Sequence, residues 1–217
     1  FSSIHAFQQE PVDSPLKEDR LLVKGSKVSH YDLTKAKAEL EVKKAYEMGL
    51  YTITLNPTGI LGPYDFKPSR MGQLITNIAN QKMPFTINAG FNWVDVRDVC
   101  FAAIEALDKA KSGNNYILSG TWVSFPEIAQ IISYHLNKKT QLATFPFLFA
   151  YLFLPFSYLY SKIFFKRPLF SMGSLRALAI QGKPSYKKAK KCFGFKPRPF
   201  EKTVKDTLNW IIRSEDG

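Results

Sequence analysis

The sequence predicts an α/β fold built on a parallel sheet, and three observations carry that expectation. Phe1-Ser2-Ser3 pairs an apolar residue with two hydroxyls, as where a strand ends. Residues 31–48 have helical composition, and residues 51–55 return to β-rich Tyr-Thr-Ile-Thr-Leu. A strand–helix–strand crossover of this length implies parallel pairing. Finally, a chain of 217 residues with 45% apolar content can bury a sizeable core.

The elements follow in order. Residues 8–30 are polar, carry Pro11, Pro15, Gly25 and Ser26, and predict a loop with one turn of helix at most. Residues 31–48 predict a helix filled by Ala36, Ala38, Leu40, Val42, Ala45 and Met48 and ended by Gly49. Its Lys35, Lys37, Lys43 and Lys44 alternate with Glu39, Glu41 and Glu47, which predicts a mostly solvated face. Residues 69–81 predict a helix capped by Ser69, with Met71, Leu74, Ile75 and Ile78 on one stripe. Short strands are expected at 85–87, 92–94 and 116–118. Asp98 is the expected cap of a helix to Leu107, with Val99, Ala102, Ala103 and Ala106 inward. Ser124 or Phe125 opens a helix to Leu136, with Pro126 where proline is tolerated. Residues 171–181 predict a helix, and 183–191 a basic, solvated helix start. Residues 201–213 predict a last amphipathic helix with Val204, Leu208, Ile211 and Ile212 on one side.

The chemistry centres on Tyr31-x-x-x-Lys35. Positions four apart on a helix share a face, so a phenol and an ammonium there can meet one ligand. A positive charge beside a phenol favours loss of its proton, which suits acid/base work. By chance alone a Tyr and a Lys at this spacing are common, so the flanking residues matter. Upstream is Ser2-Ser3-x-x-x-Phe7; downstream is Asn56-Pro57-Thr58-Gly59-Ile60-Leu61-Gly62-Pro63. In this order the set resembles the extended short-chain dehydrogenase/reductase family, the NAD-dependent epimerase/dehydratase group, near its dihydroflavonol-reductase-like and sugar-epimerase-like members. The resemblance continues through Gly62-Pro63-Tyr64-Asp65-Phe66-Lys67-Pro68, Trp93-Val94-Asp95-Val96-Arg97-Asp98-Val99 and Phe193-Gly194-Phe195-Lys196-Pro197.

That resemblance implies the C-terminal half of a Rossmann-like, doubly wound parallel sheet with a smaller, mostly helical substrate-binding region. Residues 1–62 would belong to the NAD(P)-binding domain. Residues 63–217 would form the substrate region, interleaved with the last Rossmann elements at about 85–120. No glycine-rich dinucleotide turn occurs in the chain. The resemblance therefore implies about four further βα units upstream, on the order of 120 residues at about 30 each. Those units would hold the pyrophosphate turn and the residue that selects NAD or NADP, so this stretch alone would be inactive. It further implies hydride transfer at a hydroxyl- or carbonyl-bearing carbon, by a reductase or an epimerase. Tyr31 would be the acid/base, Lys35 its partner and the ligand of the nicotinamide ribose, and Ser3 the donor to the substrate oxygen. Ser3 is preferred to Ser2 because Phe7 then falls on the family's aromatic position. Pro57, Thr58, Gly59 and Ile60 would touch the nicotinamide, and His5, Phe7, Asn56 and Met71 would face the substrate. For Pro57 to Ile60 the plainer explanation is a strand-to-loop break, and for His5 a polar loop residue. No metal is implied. A small-molecule substrate is expected, hydrophobic or a sugar nucleotide; for the latter Lys67, Arg70 and Arg97 are candidate pyrophosphate ligands.

The net charge of +12 allows nucleic acid, an anionic membrane surface or a phosphate-bearing ligand. No zinc-finger spacing or aromatic RNA-binding signature supports the first. Cys100 and Cys192 lie far apart in apolar surroundings, which suits free thiols in a reducing, cytoplasmic setting, and the start has no signal-peptide pattern. Residues 140–161 carry no charge over 22 positions and are intensely aromatic. Pro146, Pro155 and three tyrosines argue against a spanning helix of that length. A pair of short helices forming a lid or flanking the substrate pocket is the main expectation, and peripheral membrane contact the next. Two other function classes stand beside the enzyme: a membrane-associated dehydrogenase of sterol, isoprenoid or lipid-linked substrates, and a catalytically inactive module that keeps the fold. A homodimer is compatible with all three.

Overall fold

The computed structural model describes the chain apart from residues 27, 139–141, 153, 156–158, 160, 161, 163–171, 180, 181, 216 and 217. Phe153 and most of 156–165, within the aromatic stretch, therefore lie outside the described residues, as do the ends of the helix expected at 171–181. The chain forms two compact units. One comprises residues 1–63, 92–122 and 182–203; the other comprises 64–91, 123–181 and 204–217.

In the first unit a short 3-10 turn, Ile4–Ala6, is followed by β1 (Pro15–Leu16) and α1 (His30–Glu47). Then come β2 (Ile53–Pro57) and β3 (Gly59–Leu61). In the second unit α2 (Arg70–Ala79) and β4 (Phe85–Ile87) lead to β5 (Gly90–Asp95), where the chain re-enters the first unit. α3 (Val96–Lys109), β6 (Asn114–Leu118) and β7 (Thr121–Ser124) follow, and β7 leads out again. α4 (Phe125–Leu136), β8 (Ala143–Phe145), α5 (Leu148–Leu152) and α6 (Met172–Ala179) belong to the second unit. β9 (Lys183–Pro184) and α7 (Lys187–Phe193) complete the first, and α8 (Phe200–Glu215) runs from it into the second.

The parallel expectation holds. β2 pairs β6 in parallel, with Leu55 opposite Tyr116 and Asn56 opposite Ile117. β3 pairs β5, β4 pairs β8 and β1 pairs β9, all parallel. Side chains alternate across a strand, and here the two faces of the β2–β6 pair differ sharply. Leu55, Tyr116 and Leu118 join a core with Val99, Ala102 and Ala106 of α3 and Phe193 and Phe195. On the other face, Ile117 packs with Ile4, Phe7 and Leu16, and Asn56 and Asn115 meet α1 through Glu39. Helices thus lie on both faces of this parallel pair. Ser2 N donates to Leu55 O at 2.8 Å, so residues 1–3 run beside β2 on the edge away from β6.

Three expectations need correction. α3 is capped by Asp95, whose carboxylate accepts from Arg97 N at 2.8 Å; Asp98 lies inside the helix, buried, and accepts from Arg198. Glu39, expected in solvent, is buried because three polar side chains converge on it. Ile212 turns away from the apolar side of α8 and stays exposed. The short strands β1, β3, β7, β8 and β9 carry too few residues for a period to show in sequence.

In the second unit α2 packs on α4, and α4 on β4. Ile87, Ala89, Ala150, Leu154 and Leu175 form its core. The aromatic stretch therefore does form a short helix, α5, which turns Ala150 inward. It leaves Leu148 at 74% and Leu152 at 65% exposure. No helix among the described residues is long and apolar enough to cross a membrane.

Candidate active site

The start of α1 presents the candidate pair, Tyr31 and Lys35. Ser29 caps the helix by accepting from Asp32 N at 3.1 Å, which fixes the first turn. Tyr31 sits in that turn, 56% exposed. One turn on, Lys35 carries its ammonium 5.9 Å from the centre of the Tyr31 ring. Among the described residues no carboxylate forms an ion pair with Lys35. An accessible phenol beside an unpaired ammonium is a donor set that fits the hydroxyls of a ribose and the oxygen of a reacting carbon.

The serine pair comes to α1 from the other side. Ser3 caps the 3-10 turn, its Oγ accepting from His5 N at 3.2 Å. Among the described residues its own hydroxyl proton has no acceptor, so it remains able to donate. Ser2 differs: its hydroxyl donates to Glu39 Oε1 at 2.5 Å. The two serines, adjacent in sequence, are thereby distinguished: Ser2 is taken up by Glu39, and Ser3, buried, keeps a hydroxyl proton without an acceptor among the described residues. The 3-10 turn packs against α1. There His5 Nδ1 lies 3.7 Å from Asp32 Oδ1, and its ring meets the Tyr31 ring edge-on at 6.2 Å. Burial pushes the His5 imidazole below its ordinary 6.5, and the Asp32 charge only partly opposes this.

The Asn56-Pro57-Thr58-Gly59-Ile60 run ends β2 and opens β3. Pro57 and Thr58 are buried, and Thr58 N donates to Leu118 O at 3.0 Å, carrying the pairing with β6 one residue further. Gly59 is required by close approach: a Cβ there would stand 3.0 Å from the Trp93 ring. Ile60 is exposed. Asn56 is fully buried, and its amide nitrogen donates to Ser3 O at 3.1 Å and to Glu39 Oε1 at 2.5 Å. Phe7 is buried with Ile4 and Leu16. These two therefore stand behind the site rather than in its open face. Met71 lies half-buried on α2 in the second unit. That unit holds a cavity of about 490 Å³ walled by Asp65, Phe66, Gln73, Asn77, Thr207 and Trp210, and Met71 is not among its walls. Of the candidate pyrophosphate ligands, Lys67 and Arg70 are exposed, whereas Arg97 is bound to Asp95 at 2.7 Å. Among the described residues no group of three or more His, Cys, Asp or Glu side chains could hold a metal ion.

Sequence reasoning missed Glu39 and Asn115. The spacing held a signal for the first, because 31, 35 and 39 are successive fours and share one helix face. Nothing local marks Asn115; only the β2–β6 register brings it to Glu39.

Residues 1–119 match the model of the NAD dependent epimerase/dehydratase family. Sterol demethylase protein B of Methylococcus capsulatus is 28% identical over 183 residues, covering 83% of this chain and 56% of that protein. A putative dihydroflavonol 4-reductase of Synechocystis is 26% identical over 191 residues, covering 85% of this chain and 55% of that protein. The crystal structure of gox2253 superposes with a TM-score of 0.80 at 29% identity, covering 98% of this chain and 65% of that one. The chain thus spans little more than half the length of the curated relatives it matches.

Proposed function

The chain belongs to the NAD dependent epimerase/dehydratase family, and from that membership we propose that the whole protein is an NAD(P)-dependent oxidoreductase or epimerase. Its reaction takes place at a hydroxyl- or carbonyl-bearing carbon. When bound, the dinucleotide supplies hydride transfer to or from that carbon. Lys35 and Tyr31 would hold its nicotinamide ribose, and Pro57, Thr58, Gly59 and Ile60 would contact its ring. Tyr31 gives a proton to the substrate oxygen on reduction and takes it on oxidation, and Lys35 keeps a positive charge beside the phenol. Ser3 donates its free hydroxyl proton to the same oxygen and fixes its direction. His5 faces the substrate from the 3-10 turn. The observation that carries this reading is the exposed Tyr31 phenol beside the unpaired Lys35 ammonium, 5.9 Å from the ring centre.

The test uses the full-length protein with NADH or NADPH deuterated at C4 and a panel of ketones in two arms. One arm holds keto-sugar nucleotides, the other sterol- and isoprenoid-like ketones. Mass spectrometry reads deuterium transfer to carbon. Tyr31→Phe should lower turnover about 10²- to 10⁴-fold; an unchanged rate overturns the assignment. A hydrophobic alicyclic substrate is the second reading within this panel. It is favoured by the exposed leucines of α5 and by the likeness to a protein named for sterol demethylation.

A further inference from the structure

Glu39 is a buried carboxylate that the proposed reaction does not use. Its Oε1 accepts from the Ser2 hydroxyl and from Asn56 Nδ2, both at 2.5 Å, and its Oε2 accepts from Asn115 Nδ2 at 2.6 Å. All three partners are neutral donors, which suits an acceptor-only carboxylate. Burying such a group without a cation is costly, and an apolar residue would pack a helix onto a sheet more cheaply. What an apolar residue cannot do is fix a helix in one register. Glu39 lies one turn beyond Lys35 and two beyond Tyr31. Its partners belong to three other segments: the serine pair, β2 and β6. Asn56 extends the link, since the same nitrogen donates to Ser3 O at 3.1 Å.

We propose that Glu39 is the positioning residue that sets Tyr31 and Lys35 against Ser3. One carboxylate holds both sides of the reactive group, α1 directly and the serine pair through Ser2 and Asn56. The proposal rests on the reading of Tyr31, Lys35 and Ser3 given above. Glu39 touches no reacting atom. Its effect is on geometry, where a misplacement of about 1 Å can cost on the order of 100-fold in rate.

The test is made in the full-length protein with whichever ketone the deuterium panel shows to be reduced. Glu39→Gln keeps the shape but turns an NH₂ toward the Asn115 NH₂, donor against donor. It should lower kcat about 10- to 100-fold while the dissociation constant for NAD(P)H, read by fluorescence, stays within about twofold. Adding Asn115→Asp reverses that hydrogen bond, so that the amide introduced on α1 donates to the carboxylate introduced on β6, and should restore most of kcat. A purely structural role predicts otherwise: a lower Tm with kcat per folded molecule unchanged, or no rescue by the double variant. Either result overturns the proposal. If Glu39→Gln does not fold, Ser2→Ala removes one donor to the same carboxylate. A lowered kcat with Tm retained then supports the proposal, and an unchanged kcat overturns it. Should Tyr31→Phe retain full turnover, the parent reading fails. If Tyr31→Phe is impaired and Glu39→Gln is not, only this proposal fails.

Discussion

His5 shows how one residue can be both expected and altered by its setting. The sequence places it beside the serine pair as a polar loop residue or a substrate contact. In the fold its imidazole is half-buried between the 3-10 turn and α1, with Asp32 3.7 Å away. Burial lowers its affinity for a proton, and the Asp32 charge raises it by less. The unfolded chain therefore takes up the proton first as pH falls. The His5 contribution to stability is complete above the ordinary value of 6.5 and is lost as pH drops through the lower folded midpoint. An NMR titration of the His5 ring should give a midpoint under 6.5. Asp32→Asn, which removes the opposing charge, should move it lower still; an upward move would show that Asp32 is not the partner. Asp95 behaves in the opposite chemical sense with the same linkage. Burial pushes its carboxyl up, but hydrogen bonds from Arg97 and Thr203 and the Arg198 charge more than reverse this, so it lies below 3.8. Its contribution holds above that value and fades as pH falls through the folded one.

At the level of elements, what was legible follows from where the information sits. α2 and α4 announce themselves through their N-terminal caps: Ser69 and Ser124 both cap as their positions foretell. Around Ser124 the arrangement is complete. Its hydroxyl accepts from Glu127 N, and Glu127 reaches back to accept from Ser124 N at 2.8 Å. Ser124→Ala should destabilise the fold by about 1 kcal/mol, measurable by urea unfolding with the slope unchanged. By contrast, the cap of α3 fell to Asp95 rather than Asp98 because the true partner of Asp98 is Arg198, a hundred residues away. Local pattern cannot reveal such a pair. The same holds for the site. Tyr31, Lys35 and Ser3 were visible as a spaced set, yet which serine stays free was decided by Glu39, and the roles of Asn56 and Asn115 by strand register.

For peripheral membrane contact, we propose that the charge and apolar exposure of these 217 residues act together. A net charge of +12 attracts anionic surfaces. α5 adds Leu148, Leu152 and Phe149, all exposed, as apolar side chains of the kind that enter an interface. The full-length protein should co-sediment with vesicles containing anionic lipid. Leu148→Ser with Leu152→Ser should release it while leaving its Tm within a few degrees. Wild-type protein that stays in the supernatant at low salt would leave the leucines without a membrane role.

The interleaving of the two units has a consequence for synthesis. The first unit draws on residues 1–63 and 92–122 but closes only with 182–203, which bring Phe193 and Phe195 to cover Leu55, Tyr116 and Leu118. A ribosome adding about 5 to 20 residues per second needs roughly 3 to 12 s to cross the intervening stretch. Throughout that interval one face of the β2–β6 pair has α3 against it but still lacks Ala189, Phe193 and Phe195, and the Asp98 carboxylate awaits Arg198. The nascent chain therefore carries Tyr31, Lys35 and Ser3 before the core around Leu55, Tyr116 and Leu118 is complete, a window in which a holding chaperone has partly covered apolar side chains to grasp.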